Sequence, residues 1–147
     1  MSFNTVDELL KMVMGWEKDI DQFYSMIEDF LENKKSRKLA SLMHLRHQEI
    51  LGKLNGINIA GYQNIEFVKN VPLSVWSEKM CISAKANMEE VFSQMLGYEE
   101  ELLNYYKHIR DICVYHKSKD VFDVLVRLKE NQVKDIRSLM NGCELAM

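Results

Sequence analysis

Gly15-Trp16-Glu17-Lys18-Asp19-Ile20-Asp21-Gln22-Phe23-Tyr24 returns later in the chain as Gly97-Tyr98-Glu99-Glu100-Glu101-Leu102-Leu103-Asn104-Tyr105-Tyr106. Small residue, aromatic, glutamate, aliphatic, aromatic and tyrosine recur in register. The echo extends to Lys35-Ser36-Arg37 and Lys117-Ser118-Lys119. Self-similarity at one fixed spacing is the mark of a duplicated unit. In the first copy the apolar positions run Leu9, Met12 or Val13, Trp16, Ile20, Phe23, Ile27, Phe30 and Leu31; in the second they run Val91, Met95, Tyr98, Leu102, Tyr105 or Tyr106, Ile109 and Cys113. Both follow the 3.6-residue period of an amphipathic helix.

Each of these helices is followed by another. Thr5-Val6-Asp7-Glu8 fits a capping box for helix one, which is expected to run to about Glu32 and break at Asn33-Lys34-Lys35. Ser36 is the expected N-cap of helix two, with Leu39, Leu42, Met43, Ile50, Leu51 and Leu54 as its stripe and Asn55-Gly56 as its stop. Asn87-Met88-Glu89-Glu90 fits a second capping box, expected either at the start of helix three or within a helix that begins a turn earlier. Ser118 with Asp120 is expected to cap helix four, which shows Val121, Leu125, Leu128, Ile136, Leu139 and Met140 and is expected to end at Asn141-Gly142. Short loops make helices one and two, and again three and four, antiparallel hairpins. From Ile57 to about Ala86 the pattern is irregular and holds Gly61, Pro72 and Trp76. A crossover of that length lets helices two and three lie parallel. The expected fold is an all-α four-helix bundle, two antiparallel hairpins joined by a long crossover, forming one domain over residues 1–147.

Composition agrees. One proline and six glycines among 147 residues are too few for the turns of an antiparallel β architecture. A chain this long buries roughly two-thirds of its unfolded surface, so it needs no disulfide or metal merely to stay folded. A net charge of −3 leaves no electrostatic footprint for nucleic acid or an anionic membrane. Cys81, Cys113 and Cys143 form no C-x-x-C pair and read as reduced thiols. With no signal-peptide pattern at the N-terminus, the expected location is cytoplasmic.

Glu17 and Glu99 follow the repeat's aromatic residue, where a helix normally faces its neighbours. A carboxylate there needs a partner, because an ionised group taken out of water costs several kcal/mol unless paired or bound to a metal. Glu followed seven residues later by Tyr, on the first and third helices of a bundle with a long crossover, resembles the ferritin-like superfamily, and specifically its rubrerythrin-type members. The resemblance implies a pair of iron ions held by one Glu from each of helices one and three and a Glu-x-x-His from each of helices two and four. It also implies chemistry on peroxide or oxygen, or iron handling.

Glu17 and Glu99 carry over onto that pattern, but helices two and four depart from it. Helix two offers His44-Leu45-Arg46-His47, with His where the family has Glu; in the ungapped comparison His47 takes the Glu position and Ile50 the His position. Helix four offers Glu130-Asn131-Gln132-Val133, where Glu130 matches and Val133 replaces the His, or, one residue earlier, Lys129 and Gln132. A standard di-iron centre is therefore not expected. Glu17, His47, Glu99 and Glu130, with His44 in the alternative register, form a reduced ligand set suited to iron, or to manganese or zinc. The competing reading is a metal-free bundle whose glutamates are neutralised by the Tyr24 and Tyr106 hydroxyls, His47 and Lys129. It would serve as a non-catalytic binding or structural module.

Trp16 and Tyr98 are candidates to face a second subunit, which makes a homodimer the expected assembly. His108 and His116 read as solvent-facing. No rubredoxin-type cysteine module is present, so any redox cycle would draw on a separate electron donor. No nucleophile elbow, phosphate loop or basic aromatic stretch points to a hydrolase or nucleotide enzyme.

Overall fold

The computed structural model describes residues 5–62 and 80–145, with side chains as far as residue 142. Four helices carry the fold: α1 (Val6–Phe30), α2 (Lys34–Leu54), α3 (Met88–Ile112) and α4 (His116–Leu145), with a 3-10 turn at Ile59–Tyr62. α1 packs on α2, α3 on α4, and α2 also lies against α4 and α3. The result is an all-α four-helix bundle of two antiparallel hairpins, compatible with a ferritin-like fold.

The sequence repeat is a structural repeat. α1 and α3 are each 25 residues long, and Val6, Phe30 and Lys34 fall on Met88, Ile112 and His116 when the shared phrases are aligned. Both long helices stop the same way. Leu31 turns extended at φ −69° and ψ 133°, and its counterpart Cys113 at φ −67° and ψ 131°. Neither stop uses a left-handed residue, and no described glycine has positive φ.

Both ends of the crossover are tied down. Before α3, Ala84 and Ala86 accept hydrogen bonds from Glu32 N at 2.9 Å and from the buried Ser36 Oγ at 2.7 Å. That places the start of α3 beside the start of α2, so the two run parallel as expected. At the opposite end the Lys117 ammonium donates to Gly61 O at 2.6 Å and lies 5.0 Å from the centre of the Tyr62 ring. Pro72, Trp76 and the rest of 63–79 lie outside the described residues.

Several expected boundaries move. The Thr5 hydroxyl bonds the Asp7 carboxylate instead of capping the α1 backbone. α2 begins before Ser36, because Asn33 Oδ1 accepts from Lys35 N and Ser36 N at 2.9 and 3.1 Å and serves as the cap. That leaves the Ser36 hydroxyl free to hold the crossover. Ser118 lies inside α4 with its buried hydroxyl unpartnered, so it is not a cap. α4 also continues past Asn141-Gly142 to Leu145. Asn87 does cap α3, accepting from Glu90 N at 2.9 Å.

The core draws on all four helices, with Leu9, Ile20 and Ile27 from α1, Leu39 and Met43 from α2, Met95 and Ile109 from α3, and Phe122 and Ile136 from α4. Fully burying a side chain of this size contributes about 1.5–3 kcal/mol. Trp16 does not face outward. It is 3% exposed, its ring edge-on to Tyr105 at 5.1 Å, while Tyr98 is half-buried with its ring edge-on to Phe23 at 6.4 Å. Two rings contributed by α1 and two by α3 thus fill the seam between the hairpins. Phe30, expected in the α1 stripe, is 47% exposed. No helix among the described residues is long and apolar enough to cross a membrane.

Candidate functional site

Glu17, Asp21, Tyr24 and Glu28 succeed one another on α1 at spacings of four, three and four, which stacks them on one helix face. On α2, His44 and His47 are three residues apart and meet that face. The contacts form a continuous row. Glu28 Oε1 lies 2.7 Å from His44 Nδ1, and His44 Nε2 lies 3.1 Å from Asp21 Oδ1. The same Asp21 oxygen is 3.3 Å from His47 Nδ1, and His47 Nε2 is 3.1 Å from Glu17 Oε1. The row runs from the partly exposed Glu28 and Asp21 to the centre of the bundle.

Lys129 of α4 occupies that centre. Its ammonium donates to Glu17 Oε1 at 2.7 Å, to Glu99 Oε2 at 2.6 Å and to Gln132 Oε1 at 2.9 Å. The Tyr106 hydroxyl donates to Glu17 Oε2 at 2.9 Å. Glu17, His47 and Glu99 are 0% exposed and Lys129 1%. In the aligned hairpins Lys129 stands where His47 stands. Each hairpin therefore sends a glutamate from its first helix and a cationic or imidazole side chain from its second to the same place.

The electrostatics follow from this crowding. Burial by itself pushes the Glu17 carboxyl up, but the Lys129 charge and the His47 hydrogen bond outweigh it and hold the group at about 2. For His47, burial pulls the ring down, while the Glu17 hydrogen bond and the nearby carboxylates leave it raised above the ordinary value. Burial also opposes the Lys129 charge, yet Glu17 and Glu99 together raise the ammonium above its ordinary value. Tyr24 and Tyr106 are raised well above theirs, by burial first and then by the glutamate charges.

The expected site residues sort clearly. Glu17, His47 and Glu99 come together, each presenting one ligand atom, with these atoms all within 4.8 Å of one another, so the group could hold a metal ion. His44 lies off-centre, held between Asp21 and Glu28. Glu130 does not join; it is exposed on the outer face of α4. A helix turns about 100° per residue, so Lys129 and Glu130 cannot both face inward. The buried positions Phe122, Leu125, Val126, Val133 and Ile136 set the phase that turns Lys129 in. Tyr106 neutralises a glutamate as expected, whereas Tyr24 Oη has no partner and its ring stacks on His44.

The residues present do not fit a di-iron centre. The oxygens of Glu17 are taken by Lys129, His47 and Tyr106, and both His47 nitrogens face carboxylates. An ammonium stands against both repeat glutamates, and among the described residues no carboxylate from α2 or α4 joins them. Asp21 and Glu28 were missed as participants. The signal was their position on the Glu17 face, but their pairing with His44 and His47 depends on how α1 and α2 dock. Compared with known proteins, the chain finds no match to a family model, a curated protein or a solved structure.

Proposed function

We propose that this chain is a ferritin-like bundle whose centre carries its own cation, Lys129, in place of a metal pair, and that it acts as a non-redox structural or binding module. The observation that carries this reading is the Lys129 ammonium 2.7 and 2.6 Å from the two repeat glutamates. It supplies a positive charge between carboxylates and satisfies both by charge-assisted hydrogen bonds. A lysine offers no redox change and, protonated, no lone pair for a metal. Its elevated pKa keeps it in that form at neutral pH.

A second reading is supported by the Glu17, His47 and Glu99 atoms within 4.8 Å of one another. Swinging Lys129 aside would leave two carboxylates and an imidazole, a set suited to a single iron, manganese or zinc ion.

Elemental analysis of protein expressed with supplied iron separates the two. The first reading expects trace metal in both the parent and a Glu17→Ala/Glu99→Ala variant, and no peroxide consumption. A full equivalent of metal in the parent that disappears in the variant overturns it in favour of the second.

A further inference from the structure

The repeated Tyr–Glu pair is satisfied directly in one direction between the hairpins and not in the other. Tyr106 of α3 donates directly to Glu17 Oε2 of α1 at 2.9 Å. The repeat equivalent of that bond runs from Tyr24 of α1 to Glu99 of α3. It is not made: Tyr24 Oη and Glu99 Oε1 are both buried without a hydrogen-bond partner. Each residue is 0% exposed, so bulk water does not satisfy either. A third orphan belongs to the same cluster, Gln132 Nε2. Its orientation is dictated by chemistry. Lys129 can only donate, so the Gln132 amide turns its oxygen to the ammonium at 2.9 Å and leaves its NH2 pointing elsewhere.

The orphans are complementary in kind, with one carboxylate oxygen that accepts, one amide NH2 that donates and one hydroxyl that donates. Leaving such groups bare costs the whole of their lost hydration, and native proteins rarely tolerate it. A neutral molecule that both accepts and donates resolves all three. A fixed cation suits the carboxylate but repels the amide NH2, and an anion is repelled by Glu17 and Glu99. The enclosure and the three partners match the usual coordination of an internal water, which makes about three hydrogen bonds to otherwise unsatisfied groups.

We propose that the centre contains a built hydration site, in which an ordered water accepts from Gln132 Nε2 and Tyr24 Oη and donates to Glu99 Oε1, completing through solvent the contact that Tyr106 and Glu17 make directly. Lys129 takes Glu99 Oε2 and Gln132 Oε1, which leaves Glu99 Oε1 and Gln132 Nε2 as the atoms the water serves. The proposal rests on the geometry of the orphaned atoms and holds whether the bundle is a binding module or a structural one.

A crystal structure of the parent chain at a resolution that shows ordered water, with anomalous data, is the test. Density within hydrogen-bond distance of Glu99 Oε1 and Gln132 Nε2, without anomalous signal, is the expected result. A direct Tyr24–Glu99 bond with no intervening density overturns the hydration site but leaves the lysine-centred reading intact. An anomalous peak among Glu17, His47 and Glu99 overturns both. Denaturation of Tyr24→Phe beside Tyr106→Phe gives an independent reading. Tyr106→Phe should lower the folding constant at least roughly tenfold, as loss of a hydrogen bond to a charged group does, and Tyr24→Phe should lower it by less, roughly several-fold, because its bond goes to the neutral water. A Tyr24→Phe variant as stable as the parent, or more stable, refutes the bridge.

Discussion

At the residue scale the molecule turns on Lys129, which balances Glu17 and Glu99 in a place closed to bulk solvent. Replacing it with Met leaves both carboxylates buried without their cation. Breaking a buried pair in this way costs about 3–5 kcal/mol. The expected outcome is a large fall in the urea midpoint of Lys129→Met, with added divalent zinc or cobalt recovering stability in Lys129→Ala and not in the parent. A parent stabilised by the same ions would contradict the lysine-centred reading. The same cluster dictates a pH profile. Glu17 is held at about 2 against an ordinary 4.5, so its contribution is complete above 4.5 and lost as pH falls towards 2. His47 is raised above 6.5, so its contribution is complete below 6.5 and lost as pH rises through the elevated value. Lys129 behaves like His47 but in the alkaline range, above 10.5. Urea midpoints should therefore be highest between about 4.5 and 6.5, falling steeply on the acid side. A profile flat down to pH 2 would show that Glu17 is not ion-paired.

At the element scale α2 and α3 begin by side-chain caps whose identity depends on local competition. Asn33, not Ser36, caps α2, since Ser36 is engaged with Ala86 O. Asn33→Ala and Asn87→Ala should each cost about 1 kcal/mol, the usual value of a lost N-cap. Thr5→Ala should cost less than either, because the Thr5 hydroxyl makes no bond to the α1 backbone. Equal losses in thermal denaturation across the three variants would disprove this ranking. Ser36 and Ser118 show how one repeated residue acquires two fates. Both are buried, but of the two only Ser36 meets a carbonyl, that of Ala86 just ahead of α3, while the Ser118 hydroxyl has no partner among the described residues.

At the scale of the whole molecule the two hairpins are held together by aromatic rings and by charge. Trp16 meets Tyr105 and Phe23 meets Tyr98 across the seam, while Glu17 meets Lys129, 112 positions away, and Tyr106, 89 positions away. A double-mutant cycle between Glu17→Gln and Lys129→Met should show a coupling of about 1–3 kcal/mol, as residues sharing one buried network do. Additive effects would mean that the hairpins associate through apolar packing alone.

The helices, their number and the pairing of hairpins were legible in the sequence because they rest on periodicity and on a repeat that the structure reproduces in register. Glu17 and Glu99 were legible for the same reason, since a carboxylate on an apolar stripe must face the interior. The phase of α4 was not: Glu130 and Lys129 are neighbours, and only packing of Phe122, Val126 and Val133 against the other helices decides which turns inward. Nor were Asp21 and Glu28, whose partners lie on another helix. Local patterns of residues determined four helices and two inward glutamates. Only the docking of those helices, which sets distances between groups remote in the chain, decided that a lysine stands between them.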